Sequence, residues 1–350
     1  MPPVSSPVED GNPVIGTWNR AFDRVDLLEI RKPYKLLLPR WVRDHRIKEW
    51  QSFSAHDEFF SLEALFCNIK LYRMAQVILY DKKNEKKFIF RKIKPGTGWR
   101  LPVSLANSSV DSHSSSFFFR IHSWLDADTV QLDINIEETR NHPSLTVHLR
   151  YNIRSKDVTP VAVSLSFTPR RIMYAYKALA PVRGDMVFAG KHIVMKQDTC
   201  SGVFCDYKGF FPYRMHAKIC TAAGFDEKNR RFGFHIAENQ TRETNKNNEN
   251  VLWIDGKLTP LPPVLITMPS GTPEVLRGQD GNWVIQDVEG MVDLTFTPKE
   301  HNRSEKKLII TRADFNIALG YYNGVLVNSE GEKIFIKNLM GMGEKLYLRV

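Results

Sequence analysis

The feature that most constrains this chain is an alternation of apolar and polar residues with a period of two, repeated from about residue 75 to the end and broken by short polar turns. Residues 76–80 and 87–91 are apolar-rich runs separated by the charged stretch 81–86, which reads as a β-hairpin. Residues 107–116 are low in complexity and rich in Ser, and read as a loop. Further strands are predicted at 117–122, 129–136, 144–152 and 161–167, joined by short polar connections. Near the C-terminus, 325–327 and 333–337 flank 328–332, a second hairpin with Gly331 available for a positive φ. Helix signals are few. The best is 58–66, yet Phe59, Phe60, Leu62, Leu65 and Phe66 fit a period of 3.6 no better than a period of two. The chain is therefore expected to be all-β and antiparallel, with few short helices.

A chain of 350 residues exceeds one ordinary hydrophobic core and suggests about two domains of roughly 150 residues each. An internal echo supports a duplicated β domain: Ser164-Leu-Ser-Phe-Thr-Pro-Arg170 is matched by Asp293-Leu-Thr-Phe-Thr-Pro-Lys299, 129 residues further on. In both copies alternating side chains would pack inward, and Pro169 or Pro298 would end the strand because proline cannot donate to a ladder. Pro181, Gly184 and Gly190 break the strand pattern between the copies. The expected organisation is a flexible tail at 1–14, a first domain at 15–185 and a second at 186–350.

With 42% hydrophobic and 25% charged residues, the chain has the composition of a soluble globular protein. Residues 1–16 are rich in Pro and Ser and lack the apolar centre of a secretory signal, and no later apolar run approaches the ~18 residues of a membrane helix. The expectation is a cytoplasmic protein. Its four cysteines, Cys67, Cys200, Cys205 and Cys220, are then thiols rather than a disulfide framework. Cys200, Cys205, His216 and Cys220 offer four soft or borderline ligands within 21 residues, but their spacing matches no zinc ribbon or knuckle, and no metal is expected. Net charge is +10, with acidic residues interleaved among the basic clusters, so a nucleic-acid groove is not expected. Dinucleotide, phosphate-loop and serine-hydrolase motifs are absent, and no cofactor is implied.

Four blocks carry a likeness: Arg46-Ile-Lys-Glu-Trp50, Asp206-Tyr-Lys-Gly-Phe-Phe-Pro-Tyr-Arg214, Glu249-Asn-Val-Leu-Trp-Ile-Asp-Gly256, and Leu319-Gly-Tyr-Tyr-Asn-Gly324 running on to Gly341 and Glu344. In order and spacing they resemble the uncharacterised family catalogued as domain of unknown function 2804. More remotely the chain is similar to two-domain lipocalin-like proteins, a group with carotenoid hydratases and pericyclase-type cyclases. The resemblance implies two consecutive antiparallel lipocalin-like β-barrels and no established activity. The second block departs from the family: where a Trp-Asn-Trp-like segment is usual, this chain has Met215-His-Ala-Lys-Ile-Cys220.

The third block supplies the candidate chemistry. Taken as a strand, residues 249–254 place Glu249, Val251 and Trp253 on one face and Asn250, Leu252 and Ile254 on the other. A carboxyl among apolar side chains is desolvated, which raises its pKa and suits a general acid near neutral pH. The competing expectation is a rim ion pair with Arg214 or Arg242. Asp255-Gly256 reads as a turn. In the second block, Asp206 and Arg214 flank the aromatic, kinked segment Phe210, Phe211, Pro212 and Tyr213, which fits either a lid over a pocket or a plug of the core. Arg46, Lys48 and Trp50 would share one face of an extended segment, either at a pocket rim or as an edge strand.

Two functions follow. The first is binding of a small, mainly apolar molecule with one polar or anionic end, through Asn250, Trp253, Phe210, Phe211, Tyr213 and Trp50, in a barrel or interdomain pocket. The second is a metal-independent hydratase, isomerase or cyclase, with Glu249 as general acid, Asp206 as partner base and Arg214 stabilising developing negative charge. A third, weaker alternative is contact with nucleic acid or an anionic membrane surface through the net charge.

Overall fold

The computed structural model describes residues 5–96, 100–154, 156–269, 281–307 and 312–349. The chain divides into two compact units, Met1–Phe210 and Phe211–Val350.

In the first unit, β1 (Val8–Glu9) and β2 (Asn12–Pro13) form a small hairpin, followed by β3 (Gly16–Trp18) and one short helix, α1 (Arg40–Arg46). Four strands then run as a meander: β4 (Lys48–His56), β5 (Phe60–Asn68), β6 (Tyr72–Asp81) and β7 (Lys86–Pro95). A second series follows: β8 (Ser108–Ser114), β9 (Phe117–Trp124), β10 (Thr129–Ile136), β11 (Leu145–Asn152), β12 (Val161–Thr168), the long β13 (Arg171–Phe188), β14 (Lys191–Met195) and β15 (Ser201–Gly209). The principal order is β7-β6-β5-β4-β15-β13-β11-β10-β9-β8, antiparallel throughout. Phe53 of β4, Ala64 and Phe66 of β5, and Val77 of β6 face one core, with Phe119, Leu132 and Val147 from the other half. Apart from Ala64, each such buried side chain is worth roughly 1.5–3 kcal/mol. The sheet curls. Phe66 and Phe119 have ring centroids 5.7 Å apart across the interior, and Lys94 at one sheet edge donates to the His113 carbonyl at the other, 2.9 Å away. The result is an open half-barrel with lysines on its free β7 edge, a placement that blunts edge pairing.

The second unit begins with β16 (Arg214–Phe225), β17 (Arg231–Glu238), β18 (Val251–Ile254), β19 (Lys257–Pro260) and β20 (Val264–Thr267). It continues with β21 (Trp283–Asp287), β22 (Val292–Lys307), β23 (Arg312–Val327) and β24 (Lys333–Arg349). Their order is β19-β18-β17-β16-β24-β23-β22-β21-β20. The far edge curls back: Ile266 N–H donates to Glu238 at 2.7 Å, and Lys218 donates to the Ile266 carbonyl at 2.6 Å. Phe234, Phe296, Tyr322 and Trp283 fill this second half-barrel. The all-β, antiparallel reading with few helices holds; where two consecutive lipocalin-like β-barrels were expected, each unit carries a curled half-barrel sheet.

Five readings change. Of residues 58–66, all but the first two belong to strand β5; it is buried on both faces, so its sequence is a nearly continuous apolar run rather than an alternation. Residues 108–114, read as loop, form strand β8, in which only Val110 and Ser112 are buried against the apolar face of β9. Of the Pro- and Ser-rich start, Val8 is buried in the first core and β1 pairs with β2, so the described part of the expected tail is ordered by packing. Pro169 does follow the end of β12, but Pro298 lies inside β22, where the register shifts between Pro298 and Glu300. A bulge lets a residue without an N–H stay in the strand. Gly320 faces that bulge closely, and a Cβ there would run into the Thr297 carbonyl oxygen. The boundary expected between residues 185 and 186 falls within β13, and the two units divide after Phe210.

Candidate functional site

In the second unit the strand register sorts residues onto two faces. Cys220 and Ala222 of β16, Phe232, Phe234 and Ile236 of β17, and Leu252 and Ile254 of β18 point into the half-barrel core. Thr221, His235, Val251 and Trp253 therefore share the opposite face, and all four are buried. Thr221 lies directly across from His235, and His235 across from Val251. The Thr221 hydroxyl is 3.0 Å from His235 Nδ1, and His235 Nε2 is 3.6 Å from Glu249 Oε2. The other oxygen of Glu249 accepts from Asn239 Nδ2 at 2.6 Å, and Asn239 is held in turn by the Thr241 hydroxyl at 2.7 Å. With the hydroxyl on one ring nitrogen and the carboxyl beside the other, the imidazole is fixed in orientation and has a partner at each end.

Glu344 completes this face. It lies across from Ile219 on β16 and from Ile317 on β23, two residues beyond Met342, the partner of Thr221. Glu344 and Thr221 are diagonal neighbours, which places their Cβ atoms about 7–8 Å apart. Glu344 makes no hydrogen bond or ion pair among the described residues, and burial pushes its carboxyl up to about 7. The glycines on either side of Met342, Gly341 and Gly343, point the other way. Their missing side chains leave room for the rings of Tyr322, Trp283 and Phe296 in the core. The face thus holds one carboxyl raised by desolvation, one buried imidazole with fixed partners, and the apolar surfaces of Trp253, Ile219 and Leu319.

Glu249 is buried, and Asn239 and His235 are its partners here; Arg242 is exposed. Glu249 and Asn250 precede β18 rather than belonging to it, and Asp255 and Gly256, at φ 45° and 77°, make the expected tight turn. Trp253 is buried on the His235 face. Asn250 was expected to touch ligand, but its amide oxygen accepts from Ala237 N and its nitrogen donates to the Pro262 carbonyl, so both ends hold the backbone. Arg214 is exposed at the start of β16. It lies on the core-side alternation of that strand and seven residues from Thr221, about 23 Å along an extended chain. It does not reach the Thr221 and His235 face. Tyr213 is half-exposed and Phe211 is buried.

Asp206, Phe210 and Trp50 belong to the first unit. Asp206 lies on the core face of β15, opposite Gln51 and Tyr176, and accepts from Gln51 Nε2 at 2.8 Å. Burial pushes its carboxyl up, partly countered by Lys208 and the Gln51 hydrogen bond. Phe210 is a core plug against Tyr34, with ring centroids 6.1 Å apart. Trp50 stacks on Tyr207 at 4.9 Å, in a strand paired on both sides by β5 and β15 and so not an edge strand. The Lys48 amine, on the same alternation as Trp50, is lowered to about 7 by burial and by the charges of Arg46 and Lys70.

Sequence reasoning missed Thr221, His235 and Asn239. The usable signal was Phe232-Gly-Phe-His-Ile236, in which a histidine interrupts an otherwise apolar strand on the face away from its phenylalanines. All four cysteines are buried thiols, and burial pushes Cys220 up to about 12. No group of three His, Cys, Asp or Glu side chains able to hold a metal ion occurs among the described residues. No described helix is long and apolar enough to cross a membrane.

A family model described as "Domain of unknown function (DUF2804)" matches residues 8–349. No curated protein matches the chain. Among solved structures, the chain is similar to CghA at 12% identity and a TM-score of 0.49, covering 86% of this chain and 88% of that one. It is also similar to kievitone hydratase from Nectria haematococca at 9% identity and a TM-score of 0.48, with the same coverage.

Proposed function

The chain belongs to the DUF2804 family, and from that premise we propose that its second unit performs acid–base chemistry on a small, mainly apolar molecule carrying one polar or anionic group. The observation that carries this reading is Glu344, a carboxyl near pKa 7 without a charged partner among the described residues, on the sheet face that also holds Thr221 and His235. Structural ion pairs perturb carboxyls too, but they lower the pKa, whereas burial without a partner raises it. Glu344 exchanges a proton with the substrate. His235, oriented by Thr221 and Glu249, is the complementary group. In a hydration, one would protonate carbon while the other takes a proton from the attacking water, so the protons balance; an isomerisation moves one proton out and one back. Trp253, Ile219 and Leu319 supply the apolar wall that selects the substrate class. In this reading Glu249 positions His235, and neither Arg214 nor Asp206 is required.

The test is deuterium incorporation, followed by mass spectrometry, into a panel of small enones and enolisable ketones incubated with the protein in D2O. Wild type is expected to exchange at carbon; Glu344→Gln and His235→Gln are expected to lose that exchange. Equal rates in the wild type and in Glu344→Gln would remove the acid–base assignment. If wild type gives no exchange, and native mass spectrometry shows a small molecule retained equally by a Glu249→Gln, Glu344→Gln double variant, the protein is a binder and not a catalyst.

A further inference from the structure

The first unit has a second feature, at the end of the strands away from Asp206. The β13–β14 connection is a two-residue turn, Ala189-Gly190, with φ of 50° and 75°. It brings Phe188 and Ile193 up to the start of β5 and the β6–β7 turn. Phe60, Phe188, Ile193 and the half-exposed Phe59 line a cavity of about 220 Å³ there, with Lys83 and Lys191 on its margin. The walls are preformed. Phe88 packs edge-on against Phe188 at 4.7 Å, and Phe60 against Phe188 at 6.5 Å. The one acidic side chain of the lining, Asp81, is engaged by its own turn, accepting from Asn84 N at 3.0 Å and Asn84 Nδ2 at 2.7 Å. Lys83 and Lys191 make no ion pair among the described residues.

We propose that this cavity binds a small apolar carboxylate, an aryl or short alkyl acid whose ring or chain sits against Phe60 and Phe188 and whose carboxylate meets Lys83 and Lys191. The size decides the class: a cavity of about 150 Å³ lined by aliphatic and aromatic side chains accepts benzene. The space here holds a ring with two or three further atoms, and not a lipid. The charge decides the end group, since two unpaired ammonium groups favour an anion and disfavour an amine. Its lining residues all belong to the first unit, whereas Glu344 belongs to the second.

The test is a titration of the full chain, by calorimetry and by two-dimensional NMR, with 3-phenylpropionate, its neutral counterpart 3-phenylpropanol, and 3-phenylpropylamine. The acid is expected to bind saturably with a Kd of roughly 1 mM or tighter, as suits a ligand of its size. The alcohol is expected to bind several-fold more weakly and the amine weakest. Replacing the two exposed lysines (Lys83→Ala, Lys191→Ala) should weaken the acid by about five- to tenfold and leave the alcohol unchanged. Ile193→Trp, which fills the cavity, should abolish binding of all three, with the melting temperature confirming that the variant is folded. Glu344→Gln should bind the acid like wild type, so this proposal and the acid–base reading fail separately. Absence of saturation at about 10 mM, ten times that Kd, equal affinity for acid and alcohol, or an unaltered acid Kd in the double-lysine variant would overturn it.

Discussion

Replacing Glu344 by Gln gives a quantitative check on the half-buried carboxyl. Its ordinary pKa is 4.5, and burial moves it to about 7 in the folded chain. Below pH 4.5 both folded and unfolded states carry the proton and the group costs nothing. Between 4.5 and 7 the unfolded chain has released a proton that the folded chain still holds, so wild-type stability falls as pH rises, and it levels off above about 8. At roughly 1.4 kcal/mol for each pH unit between the two values, the penalty reaches about 3 kcal/mol. Glutamine keeps the shape and cannot ionise. Glu344→Gln should therefore match wild type near pH 4 and exceed it by up to about 3 kcal/mol near pH 8.5, a melting-temperature gain of roughly 6–12 °C. Differential scanning fluorimetry and urea denaturation at half-unit pH steps read this directly. A gain that is the same at pH 4 and pH 8.5, or a loss at the higher pH, would refute the argument, because it would mean that the carboxyl is not held uncharged by its surroundings. On the acid–base reading proposed above, the same variant is expected to lose carbon deuterium exchange.

Three further outcomes follow from the first unit and from the bulge. His56 is held neutral by burial, at about 3, with Ser61 Oγ 2.8 Å from Nδ1; stability should fall by up to about 1.4 kcal/mol per pH unit as pH drops below 6.5, and His56→Gln should flatten that slope in urea titrations. Asp206 has its carboxyl raised, so Asp206→Asn, which preserves the Gln51 contact, should be stabilising at pH 8 and less so at pH 4; a loss of equal size at both values would contradict the assignment. Gly320→Ala should lower the stability of the second unit by more than about 2 kcal/mol, because the new methyl meets backbone at Thr297 and not a side chain that can turn away, and chemical denaturation would show it.

The period of two was enough to establish strands, because an extended chain exposes alternate side chains to opposite faces whatever lies above them. Strand 129–136, the hairpin closed by Asp255-Gly256 and the turn at Gly331 were legible for that reason: each depends on residues within a few positions. The ambiguity of 58–66 and the polar strand β8 were not, since both depend on whether neighbouring strands cover one face or two. The same limit governs the site. Alternation separates Glu249 from Leu252, but it cannot say whether the face of Glu249 is wet or dry. Thr221 meets His235 across a local hairpin, within reach of a reading of Phe232-Gly-Phe-His-Ile236. Glu344 joins them only because β24 returns from the end of the chain to pair with β16, setting Glu344 across from Ile219. That long-range register, and the burial it brings, turns an ordinary glutamate near the C-terminus into a group that titrates near neutral pH, because the cost of desolvating a charge depends on what surrounds it in space and not on what precedes it in the chain.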